Sequence, residues 1–155
     1  MALVVDSGIV VAALVDSGPA GTWADELLGR LELAAPHLMP VEAANILRRA
    51  SLAGEISVDT APMAHADLLA LRLELFGYEP FARRTWELRE NVTIYDGWYV
   101  ALAESLGVTL ATIDLKLTRA VGPRCSFLTP PEVGVNECGC RGASSQEERP
   151  RTYAP

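Results

Sequence analysis

The sequence predicts an α/β fold in three layers, with a central parallel sheet covered by helices on both faces. Short continuous apolar runs, Leu3-Val4-Val5 foremost, read as buried parallel strands. Segments with apolar residues at helical spacing alternate with those runs along the chain, the pattern of right-handed crossovers in a doubly wound domain. Carboxylates follow two of the runs directly, Asp6 after the first and Asp114 just past Thr112. Ligands of such folds bind beyond the carboxyl ends of the strands.

In chain order, Leu3–Val5 is the first strand and Ile9–Val15 a short helix, with Gly18 and Pro19 marking a loop. Trp23, Leu27, Leu28 and Leu31 give the apolar stripe of a second helix from about Thr22 to Leu31. Leu33-Ala34-Ala35 is a second strand. Pro40 at a first helical position opens a helix that runs to Ala53, with Gly54 as its C-cap. Ser57 and Asp59 open the next helix, carried by Met63, Leu68, Leu69 and Leu71. Leu73–Phe76 reads as a strand, and Phe81–Arg89 as a helix anchored by Trp86 and Leu88. Tyr95–Leu106 is a helix capped by Gly107, followed by a strand at Val108–Thr112, a short helix at Asp114–Ala120 and an edge strand at Ser126–Leu128.

The 155 residues fit one folded domain, residues 1–131. From residue 132 onward Gly, Ser, Glu, Arg and Pro replace aliphatic residues, which predicts a flexible C-terminal tail over 132–155. No apolar run approaches the roughly 18 residues that span a bilayer. The N-terminus has no basic region ahead of an apolar one, so no signal peptide is expected and the cytoplasm is the expected location. Cys125, Cys138 and Cys140 have neither the spacing of a zinc half-site nor that of a disulfide framework. The net charge of −7 argues against broad electrostatic binding of nucleic acid. It leaves room for a nuclease whose acids hold cations at one site, because bound cations reverse the local sign.

Glu42 and Asp96 fall in the early turns of two helices among apolar neighbours. Taken singly, Glu42, Asp96 and Asp114 read first as first-turn charges that complement the helix dipole. Asp6 has little structural use after a buried strand. A carboxylate on a packed helix face needs a partner or a metal. Asp96 shares its helix face with Tyr99, and Glu42 with Asn45.

Four segments resemble the PIN-domain ribonuclease toxins of bacterial VapBC toxin–antitoxin pairs, in that family's order and spacing from about Leu3 to Leu128. They are Val4-Val5-Asp6-Ser7, then Ala35–Leu38 through Glu42–Arg49, then Asn91–Glu104 around Asp96, and Leu110–Leu117 around Asp114. Gly8 departs from the family's habit of Ser or Asn two residues after the first acid, although Ser7 stands beside it. The stretch from about residue 132 matches nothing in the family. The resemblance implies a PIN-like α/β/α domain and an endoribonuclease, with Asp6, Glu42, Asp96 and Asp114 as catalytic metal ligands. It also implies a cognate VapB-like antitoxin and a homodimer.

Oxygen-only donors suit Mg²⁺, or Mn²⁺, rather than zinc. Hydrolysing RNA asks for an activated water and neutralisation of charge on the scissile phosphate, which cations held by clustered carboxylates provide. Thr112 and Asn45 are candidates to support the ligands from behind. Arg48, Arg49 and Lys116 are candidates for phosphate contact, with solvation as their ordinary use. Trp98 and Tyr99 read as core, and His37 as structural. The alternatives are a catalytically weak partner-binding PIN module and a structure-specific DNA nuclease. Retention of all four acids weighs against the first.

Overall fold

The computed structural model describes residues 2–30 and 32–131. The expected tail over 132–155, with Cys138 and Cys140, lies outside the described residues. The elements are β1 (Ala2–Val5), α1 (Ser7–Val15), α2 (Pro19–Arg30), β2 (Glu32–Pro36), α3 (Met39–Ala53), α4 (Thr60–Ala70), β3 (Leu73–Phe76), α5 (Ala82–Glu87), α6 (Ile94–Leu106), β4 (Thr109–Ala111) and β5 (Phe127–Leu128). Single 3₁₀ turns stand at Glu79–Phe81 and Leu117–Arg119. No described helix is long and apolar enough to cross a membrane.

All five strands are parallel, in the order β3-β2-β1-β4-β5. The chain builds outward from β1 to β2 and β3, then returns to add β4 and β5 on the other side. The order therefore reverses between β1 and β4, where Val5 registers with Ala111 and the Asp6 N–H donates to the Ala111 carbonyl at 3.1 Å. The crevice beyond that switch point is the ligand site of doubly wound sheets.

The sheet forms where the sequence is continuously apolar. Leu3, Val4, Val5, Leu110 and Ala111 are buried, and burying each Leu or Val contributes about 1.5–3 kcal/mol. The α6 helix lies on β1, β2 and β4 and buries Tyr99 through Ala103 without a break. The α1 helix packs against α2, α3 and α4. Gly54 and Gly107 end α3 and α6 at φ 73° and 66°, the left-handed caps expected of them. Gly21 is required by proximity: a Cβ there would sit 1.8 Å from the Asp16 carbonyl oxygen.

Several expectations need correction. The α2 helix starts at Pro19 rather than near Thr22, with proline at its favoured first position. The Asp114–Ala120 helix reduces to the 3₁₀ turn: the Asp114 side chain caps it, accepting the N–H of Lys116 at 2.7 Å and of Leu117 at 3.4 Å, and beyond the cap the Arg119 and Ala120 N–H groups bond only three residues back, at 3.2 and 3.1 Å. Phe81–Arg89 divides into a 3₁₀ turn and the short α5. Trp86 does not anchor that segment, since it is 60% exposed, whereas Leu88 does and is buried. In α4, Leu68 is buried but Met63 and Leu69 face solvent.

Candidate active site

Asp6 leaves β1 in extended conformation and caps α1, its Oδ1 accepting the Ile9 N–H at 2.8 Å. The Thr112 hydroxyl and the Gly8 backbone also hydrogen-bond this carboxylate. Thr112 is fully buried at the end of β4, and its Oγ1 accepts the Asp114 N–H at 3.0 Å. One hydroxyl thus straps the first acid to the backbone of the fourth, across the switch point. Support of a carboxylate from behind is the role the sequence suggests for Thr112.

Gly8 fits the same corner. A Cβ there would come 2.9 Å from the Ile113 side chain and 3.3 Å from Asp6 Oδ1. A side chain would crowd the carboxylate, and that gives the departure at position 8 a local cause.

Glu42 stands in the first turn of α3. The Tyr99 hydroxyl donates to its Oε2 at 2.5 Å, bridging 57 positions of sequence. Ser7 in turn hydrogen-bonds Tyr99, so α1, α3 and α6 meet at one phenol. Burial, then the bond to Glu42 and the fields of Glu42 and Asp6, push the phenol's pKa far up, which keeps it a donor. Tyr99 is core, as expected, and also a polar partner of the site. A buried Tyr hydroxyl usually finds a partner, and the i, i+3 placement after Asp96 was the available signal.

Asp96 occupies the first turn of α6. The Thr93 hydroxyl accepts its N–H at 3.1 Å and donates to its Oδ2 at 2.6 Å, a reciprocal helix start. Asp96 and Asp114 line one pocket of about 230 Å³ with Asn91, Val92, Thr93 and Lys116. Lys116 is the candidate phosphate contact placed there. Asn45 is exposed on α3, as are Arg48 and Arg49.

Asp6, Glu42 and Asp96 lie within one another's fields. Burial raises the Asp6 carboxyl, opposed by its bonds from Thr112, Ile9 and Gly8, and the charge of Asp96 raises it further. Burial also raises Glu42, opposed by Tyr99 and reinforced by Asp96 and Asp6. Such strain between like charges is what a cationic ligand relieves. Asp114 joins Asp96 at the pocket wall. Among the described residues, no three His, Cys, Asp or Glu side chains stand arranged to hold a metal ion.

Elsewhere, the Arg84 guanidinium grips both Glu104 oxygens, Nε to Oε2 at 2.7 Å and Nη2 to Oε1 at 3.1 Å, and reaches the Gly122 carbonyl at 2.7 Å. Cys125 is a half-buried free thiol, its pKa pushed up to about 11 by burial and by Glu104, which leaves it a poor nucleophile.

Comparison with known proteins agrees with this architecture. The PIN domain family matches residues 3–122. Ribonuclease VapC1 of Mycobacterium tuberculosis is 42% identical over 125 residues, covering 80% of this chain and 94% of that protein. Among solved structures, PAE2754 from Pyrobaculum aerophilum shares the fold at TM-score 0.61 and 23% identity, over 82% of this chain and 83% of that one. A toxin-antitoxin complex from Klebsiella pneumoniae does so at TM-score 0.55 and 17% identity, over 84% and 99%. The chain belongs to the PIN domain family, among its VapC ribonucleases.

Proposed function

We propose that this protein is a Mg²⁺- or Mn²⁺-dependent endoribonuclease acting as the toxin of a toxin–antitoxin pair. The observation that carries the chemistry is the mutual field of Asp6, Glu42 and Asp96 at the sheet's switch point, with Asp114 sharing a pocket with Asp96. The similarity to a named ribonuclease supports RNA as substrate.

The donor set fits a hard divalent cation, being oxygen-only and carrying charge that burial and repulsion penalise until a cation balances it. Asp6, Glu42, Asp96 and Asp114 would hold it, their side chains drawing closer together than they stand among the described residues. When bound, such a cation activates water and neutralises charge on the scissile phosphate. The protein's part is orientation. Ile9, Tyr99, Thr93 and the Lys116 N–H each engage one oxygen of an acid and fix how it faces the crevice. Lys116, at the rim of the Asp96–Asp114 pocket, suits a phosphate oxygen.

An antitoxin-like protein and a second copy of the chain are the proposed partners. Met63 and Leu69 on α4, each 68% exposed, supply apolar surface for one of them.

The test incubates purified protein with pooled single-stranded RNA and tRNA in Mg²⁺, Mn²⁺ or EDTA, beside Asp6→Asn and Asp96→Asn. Cleavage that needs the cation and disappears in both variants supports the reading. Intact RNA throughout, with no heat of Mn²⁺ binding by calorimetry, turns the protein into a partner-binding module.

A further inference from the structure

Trp86 stands outside the buried core. It is 60% exposed on the short α5, while its neighbours Thr85 and Leu88 are buried. Its surroundings are ordered nonetheless. The Arg89 guanidinium carbon lies 5.1 Å from the centre of the indole. Nη1 of Arg89 donates to the Trp86 carbonyl at 2.9 Å and Nη2 to Glu90 at 3.2 Å. The cation is therefore held beside the ring rather than sweeping through solvent.

The pair is keyed to the acidic site from two directions. Thr85 packs against α6 at Gly97, next to Asp96, where a Cβ would come 3.2 Å from the Thr85 methyl. Past Arg89 the chain turns at once, with the Asn91 and Val92 N–H groups donating to the Leu88 carbonyl at 3.0 and 3.1 Å. Asn91, Val92 and Thr93 then form a wall of the Asp96–Asp114 pocket. A second aromatic, Tyr95, is also 60% exposed and immediately precedes Asp96.

From this arrangement we infer that Trp86 and Arg89 form a stacking platform for a base of single-stranded RNA, flanking the cleavage site and helping to set where the strand lies. The inference rests on the ribonuclease reading above. Indole and guanidinium planes are the surfaces on which unpaired bases stack. A protein interface suits the patch less well. Arg89 lies beside the indole, and the neighbours of Trp86 in sequence, Arg83, Glu87 and Glu90, are exposed charges rather than apolar residues. In a chain of net charge −7, stacking also supplies affinity that the general electrostatics do not.

The experiment measures fluorescence anisotropy of a labelled random 12-nucleotide single-stranded RNA pool with Mg²⁺, using Asp96→Asn as a parent that does not cut. Trp86→Ala in that parent is expected to weaken binding about five- to a hundredfold, with Trp86→Phe retaining most of the affinity. Thermal unfolding of Trp86→Ala should match the parent, because the ring is exposed. In the chain with Asp96 intact, Trp86→Ala should raise KM for RNA cleavage and spare kcat. Unchanged affinity in Trp86→Ala overturns the platform while leaving the ribonuclease reading intact. Unchanged RNA affinity with altered sedimentation makes Trp86 a contact between copies and overturns it as well. If the parent binds no RNA and the intact chain cuts none, the ribonuclease reading fails and the platform falls with it.

Discussion

The Tyr99 hydroxyl donates to Glu42 Oε2 at 2.5 Å, joining the third turn-mate of Asp96 to the acid of another helix. The bond fixes one oxygen of a half-buried carboxylate that two other acids repel. Tyr99→Phe keeps the ring and removes the donor. It is expected to lower stability by about 1–3 kcal/mol in urea unfolding, the cost of leaving such a group unsatisfied. Mn²⁺ affinity by calorimetry should fall about ten- to a hundredfold, as when a group orienting a metal ligand is lost. Equal affinity in the two proteins would leave Tyr99 a packing residue alone.

Asp6 carries a stability effect whose sign follows from its environment. Its carboxyl is raised in the folded protein, chiefly by burial, so the fold binds that proton more tightly than the unfolded chain does. The contribution to stability is complete below the ordinary value of 3.8 and is lost as pH rises through the raised one. At pH 7 the ionised Asp6 therefore works against the fold. Asp6→Asn retains a good N-cap for Ile9 and removes the charge. Its Tm in EDTA should exceed that of the native chain at pH 7, and the gap should close as pH falls through the raised value towards 3.8. RNA cleavage should be lost in the same variant, a case of stability given up for function. A lower Tm for Asp6→Asn at pH 7 would sink the argument.

The sheet was legible because its inner strands are uninterrupted apolar runs, and buried parallel strands are written that way. The acids were legible for a related reason: Asp6 and Asp114 break those runs at the strand ends. What one side chain does for another 57 positions away leaves no local pattern, so the Tyr99–Glu42 bond was missed, whereas Thr112, at a strand end beside the fourth acid, was legible as a support for a carboxylate. Trp86 misled because apolar character predicts burial in one direction only. Asp114 was placed correctly along the chain, but its capping side chain starts a single 3₁₀ turn, and no local pattern separates one capped turn from a full helix.

The Arg84–Glu104 pair should act with the opposite sign to Asp6. Burial alone would raise Glu104, but the bonds from Arg84 and from the Arg124 N–H prevail and lower it. Its contribution is present above the ordinary value of 4.5 and is lost as pH falls through the lowered one. Glu104→Gln leaves the guanidinium half-matched and should cost about 1–3 kcal/mol at pH 7 in urea unfolding. Arg84→Lys should cost nearly as much, because an ammonium cannot span both oxygens and the Gly122 carbonyl. Since the pair lies away from the acids, RNA cleavage under folding conditions should persist in both variants. A variant that kept full stability would make the pair a surface contact of no consequence.

Cation binding should reverse the penalty that Asp6 and Glu42 impose. A ligand that binds only the folded chain stabilises it by about 2.7 kcal/mol at a concentration a hundred times its Kd. Mn²⁺ should therefore raise the Tm of the native chain at pH 7, and EDTA should restore the lower value. The rise should shrink as pH falls through the raised values of these carboxylates, where protons compete with the cation. Asp6→Asn and Asp96→Asn should show little of it, having lost a ligand and, for Asp6→Asn, part of the repulsion that the cation relieves. A rise of equal size in native chain and variants would place the cation elsewhere on this acidic surface and separate binding from the switch-point crevice.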